Sequence, residues 1–152
     1  MKKLFAIVLT VALLMSLSVT AFAANTTGGK ADITTSIAPT YTVTIPADVN
    51  VAFNATETAF GTIEVTASQI HPDKCIKVAL ATDKELNNAI DNTKVIPYAV
   101  KDSEGAAFTS ATYLTEGDKT ELSIHITADD WNAAYAGEYS DTVTFTITYE
   151  DK

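Results

Sequence analysis

Proton transfer and nucleophilic attack need convergent groups with matched pKa values. This chain of 152 residues offers few: two histidines, His71 and His125, and one cysteine, Cys75. His71 stands in the turn His71-Pro72-Asp73. His125 alternates outward on a run whose inward residues, Leu122, Ile124 and Ile126, are apolar. Neither belongs to a cluster with metal-ligand spacing, so both read as solvated surface residues. Cys75, in Lys74-Cys75-Ile76-Lys77-Val78, reads as a thiol packed as a small hydrophobe on a strand. A disulfide within the chain is excluded, which leaves intermolecular pairing or nucleophilic use as the alternatives.

Carboxylates are the remaining reactive set. Asp129, Asp130, Glu138 and Asp141 crowd one corner, where they could pair for hydrolysis or bind Ca²⁺ through Asp129, Asp130 and Asp141. No ordered calcium loop is visible around them. The chain also lacks HExxH, GxSxG, a phosphate-binding glycine loop and a CxxC pair. The expectation is a non-enzymatic protein without a cofactor.

The same corner is rich in aromatic rings. Trp131 and Tyr135 stand four apart, and Gly137 falls where a helix C-terminus favours positive φ. One helical turn there would drop both rings onto the end of a core. Tyr139 is then placed like a tyrosine-corner residue, with its hydroxyl returning to the connecting backbone. The competing reading is an aromatic sugar platform, with Trp131, Tyr135 and Tyr113 as its rings.

These residues need strands to position them. From residue 143 to 149 every odd position is apolar (Val143, Phe145, Ile147, Tyr149) and every even one is Thr, which describes a half-buried antiparallel strand. Period-2 alternation recurs at Ile33/Ile37, Tyr41/Val43/Ile45, Val49/Val51/Phe53, Ile63/Val65, Ile76/Val78/Leu80, Ile96/Tyr98/Val100 and Leu122/Ile124/Ile126. Pro97 assigns its strand to an edge or a bulge. Thr82-Asp83-Lys84-Glu85 fits either a capping box, with Leu86 and Ile90 behind it, or a loop. Turn signals separate these runs, so the chain reads as an all-β sandwich or barrel.

The ends and the composition bound the setting. Lys2 and Lys3, an apolar run from 4 to 19 and Ala21-Phe22-Ala23 form a cleavable signal peptide over 1–23. A flexible segment at 24–31 and a single β-domain over 32–152 follow. With no cysteine directly after the cleavage site to accept a lipid and no apolar tail, the product is expected to be secreted or held non-covalently at the cell surface. Removing 1–23 leaves 8 lysines against 19 acidic residues, a formal charge of −11. That sign disfavours nucleic acid and anionic membrane surfaces as partners, and membrane insertion after cleavage is not expected.

The stretch Ala136-Gly137-Glu138-Tyr139-Ser140-Asp141 with Thr142-Val143-Thr144-Phe145-Thr146-Ile147-Thr148-Tyr149 resembles the C-terminal end of spore-coat-protein-U-type domains. Phe60-Gly61 before a β run adds a fainter similarity. The resemblance implies an Ig-like antiparallel β-sandwich of about 7–9 strands and a pilin-like, extracytoplasmic building block, sometimes polymerised by strand lending. For lending, the N-terminal stretch offers Ile33 and Ile37 behind Gly28-Gly29, whereas about eight strands within the chain favour a self-complete sandwich. The expected function is a secreted structural or adhesive subunit at the bacterial surface. Its expected partners are neighbouring proteins, host or matrix surfaces and further copies of itself. The alternative is a secreted module that binds a carbohydrate or another ligand.

Overall fold

A computed structural model describes residues 30–152, so the signal peptide and the segment up to residue 29 lie outside the described residues. In chain order the elements are β1 (Thr40–Thr44), β2 (Glu57–Gln69), β3 (Lys74–Ala81), β4 (Glu85–Asn88), β5 (Val95–Pro97) and β6 (Ala99–Asp102). There follow β7 (Ser110–Tyr113), β8 (Lys119–His125), one short helix α1 (Ala128–Ala133), β9 (Tyr139–Ser140) and β10 (Thr144–Asp151). The protein is all-β. Among the described residues every strand pairing is antiparallel, in three sheets ordered β1-β2-β8-β6, β10-β3-β7 and β5-β4-β9.

All three sheets contribute to one buried cluster. Ile63 and Val65 from β2, Ile76 and Val78 from β3 and Ile96 from β5 are fully or almost fully enclosed. The alternation along β2, β3 and β8 places these residues inward and leaves the intervening ones wetter. Cys75 is buried, with its thiol 3.7 Å from the Asp151 carbonyl. His71 is exposed and bonded to Asp73, and His125 lies against Ser123 at 2.9 Å.

Three stretches depart from the sequence reading, and a fourth selects one of its alternatives. Ile33 and Ile37 flank no strand: residues 30–39 run without secondary structure, with Ile33 99% and Ile37 68% exposed. Alternation alone makes no strand, because each backbone donor also needs a ladder partner. Val49, Val51 and Phe53 likewise lie in an unpaired loop between Pro46 and Asn54, whose φ is 63°. The Ile96/Tyr98/Val100 run divides at Pro97 into β5, an edge strand beside β4, and β6, an edge strand beside β8. Pro97 has no N–H to continue a ladder.

At 82–85 the capping-box alternative gives way to a turn. The Thr82 hydroxyl accepts the Lys84 N–H at 2.9 Å, Asp83 Oδ1 accepts the Glu85 N–H at 3.1 Å, and Lys84 has a φ of 63°. Side-chain acceptors here compete with a helix and win. The chain then enters β4, and Ile90 is exposed.

Candidate functional site

The corner from Thr127 to Asp141 is built from short-range bonds. Thr127 caps α1, accepting the Asp130 N–H at 3.1 Å while its hydroxyl donates to the Asp130 carboxylate. Asp129 and Asp130 lie in the first turn, where negative charge suits the helix dipole. The helix ends at Ala134, before Gly137, so Gly137 does not cap it. Gly137 has a different reason to be glycine. Its φ is 151°, and a Cβ there would stand 2.5 Å from Asn88 Nδ2. Asn88 is itself buried, with Oδ1 accepting the N–H groups of Ile90 and Asp91 at 2.9 and 3.2 Å.

The rings of this corner divide into separate roles. Trp131 is half-buried, donates its indole N–H to the Ala55 carbonyl at 2.9 Å and meets Phe53 edge to face at 5.6 Å. Tyr135 is 64% exposed and carries the Lys94 ammonium 4.9 Å above its ring. The Tyr139 hydroxyl donates to the Tyr135 carbonyl at 3.0 Å, closing the corner over four residues. Tyr113, proposed from sequence as a third platform ring, is instead buried in β7 and donates to Thr120 Oγ1 at 2.8 Å. Burial raises its phenol pKa. It cannot face a glycan alongside Trp131.

The carboxylates are also separated by their partners. Asp130 is tied to Thr127, whereas Asp141 accepts from the Thr82 hydroxyl at 2.8 Å, from the Tyr98 hydroxyl and from the Thr142 N–H at 2.6 Å. Tyr98 has its pKa pushed up, first by burial and then by the hydrogen bond to Asp141. Among the described residues no three His, Cys, Asp or Glu side chains gather as a metal site. Asp129, Asp130 and Asp141 therefore do not form the shared calcium set considered from sequence.

The structure adds a cleft of about 880 Å³ between the 45–53 loop and the 137–145 segment. Phe53, Phe60, Trp131, Tyr139, Val143 and Phe145 supply much of its apolar lining. Phe60 and Phe145 lie 6.0 Å apart between ring centroids. The loop can leave the sheet because β2 carries a bulge between Ala59 and Gly61. Gly61 has a φ of 135° and lets Pro46 approach to 3.1 Å of where a Cβ would stand.

Sequence reasoning did not find this cleft. The Val49/Val51/Phe53 alternation reads as a closed strand, while Phe60-Gly61 and Pro46 were its local signals. Against models of known protein families and against curated proteins, the chain has no match.

Proposed function

We propose that this protein is a secreted, non-enzymatic structural or adhesive subunit of the bacterial cell surface, with its sheets packed as an Ig-like β-sandwich. The observation that carries the reading is the stretch 30–39. Among the described residues this arm pairs with no strand, and it leaves Ile33 and Ile37 99% and 68% exposed. Exposed apolar side chains at every second pair of positions suit contact with a neighbouring surface. The sheets β1-β2-β8-β6 and β10-β3-β7 share one core, as the layers of a sandwich do, which supports the fold assignment. The leader-like segment 1–23 and the acidic charge support an extracytoplasmic setting.

A ligand-binding reading is favoured by one specific observation, the cleft beside Trp131. The two readings are compatible, since an adhesive subunit acts through a binding surface. Surface shaving tests the setting: protease added to intact cells should remove the protein while a cytoplasmic marker survives. A protein protected until the cells are lysed would contradict the proposal.

A further inference from the structure

We infer that the cleft between residues 45–53 and 137–145 binds an extended peptide segment of a partner protein, with alternating apolar residues and at least one lysine or arginine. The inference rests on the adhesive-subunit reading for its biological setting, and on the cleft alone for its chemistry.

The walls are the first reason. Residues 47–51 make no backbone-to-backbone hydrogen bond among the described residues, although each carries a donor and an acceptor. Across the cleft, residues 141–143 lie between β9 and β10 without joining either, and among the described residues β10 pairs only with β3. An extended chain laid along the open edge of β10 could pair its backbone there, which is the strand-addition mode of peptide recognition.

The second reason is charge. Asp48, Glu138 and Asp141 line the cleft, and no Lys or His side chain does. Asp141 is held by Thr82, Tyr98 and Thr142, but Asp48 and Glu138 enter no ion pair among the described residues. They come from the two segments that bound the cleft, so a cationic side chain held there would meet charge of the opposite sign.

The third reason is lining. Phe53, Val143 and Phe145 offer apolar surface for alternate side chains, and Trp131 and Tyr139 offer ring surface for aliphatic stems. The chain's own arm is the poorer occupant by charge. Lys30 and Asp32 cancel, and Asp32 would bring a like charge beside Ile33.

The test uses Trp131, the only tryptophan, as reporter. Purified protein is titrated with a blocked hexapeptide alternating valine and threonine between two terminal lysines. Parallel titrations use the same peptide with glutamates in place of lysines, a peptide of residues 30–39, and dodecylammonium. The expected result is a saturable change in Trp131 emission with the lysine peptide and at least about tenfold weaker binding of the glutamate peptide. The exposed-rim double variant Asp48→Asn/Glu138→Gln should weaken the lysine peptide about fivefold, and Asp102→Asn, which does not line the cleft, should not. Equal binding of the lysine and glutamate peptides, or no binding, would overturn the inference. Tighter binding of the arm peptide or of dodecylammonium would overturn it in favour of a second copy or a free amine. None of these outcomes changes the shaving result, so the subunit reading is judged separately.

Discussion

Gly137 and Asp118 show how single residues hold this molecule's loops. Gly137 combines a positive φ with a 2.5 Å approach to Asn88, so any Cβ meets both backbone strain and a buried amide. Gly137→Ala should lower stability by about 2 kcal/mol, read as a shift of the denaturant midpoint with the slope unchanged. Gly105→Ala, where an added Cβ meets nothing within 4 Å, should show only the smaller cost of its φ of 80°. Asp118 accepts the N–H groups of Leu114 and Thr115 at 2.7 and 2.9 Å and the Thr115 hydroxyl at 3.0 Å. The two backbone bonds are the main reason that its pKa is lowered.

A lowered folded pKa places the Asp118 contribution above the ordinary carboxylate pKa of about 4 and removes it as pH falls through the folded value. Asp118→Ala should therefore cost about 1 kcal/mol at pH 7. In acid-denaturation curves its stability should converge with that of the parent at the low-pH end. A constant difference at all pH values would show that the carboxylate charge is not what the turn uses.

At the scale of elements, β10 tests whether alternation has been assigned to the correct faces. Phe145 packs toward Phe60 at 6.0 Å, while Thr146 next to it is exposed. Phe145→Ala should cost about 3 kcal/mol, at the low end for an aromatic truncation because the ring is half-covered, whereas Thr146→Ala should stay within about 0.5 kcal/mol. Chemical denaturation of both variants reads the contrast directly, and similar losses would mean that the strand is not half-buried.

This strand was legible because each threonine alternates with a large apolar residue, and β10 keeps an unbroken register with β3 from Thr144↔Ala81 to Asp151↔Lys74. The 33–37 and 49–53 runs carry the same alternation and form no strand, because period alone does not specify a partner edge. A helical turn at Trp131 was legible, but its extent was not: it stops after Ala133, so Tyr135 lies outside it and exposed, and Gly137 does not cap it. The reason for Gly137 was not legible, since Asn88 lies 49 residues earlier in the chain. The cleft was hidden for the same reason: its walls come from segments about 90 residues apart.

Across the whole molecule, an acidic body carries an apolar arm. Like charge opposes the approach of two copies, and salt screens that repulsion within about 8–10 Å at ordinary ionic strength. Covering the exposed Ile33 and Ile37 with a second copy, as proposed, would supply an opposing attraction of about 1.5–3 kcal/mol each. Added salt should therefore strengthen self-association, and dilution into low-salt buffer should weaken it, as read by light scattering. Salt-weakened association would instead point to ion pairs as the joining force.

The arm as the joining element is the centre of this account, and sedimentation velocity over a concentration series tests it most directly. The account predicts concentration-dependent oligomers for the parent protein and a monomer for Ile33→Asp/Ile37→Asp, with unchanged circular dichroism because both side chains already face water. A parent protein that stays strictly monomeric at the highest concentration, or a double variant that assembles as well as the parent, would contradict it.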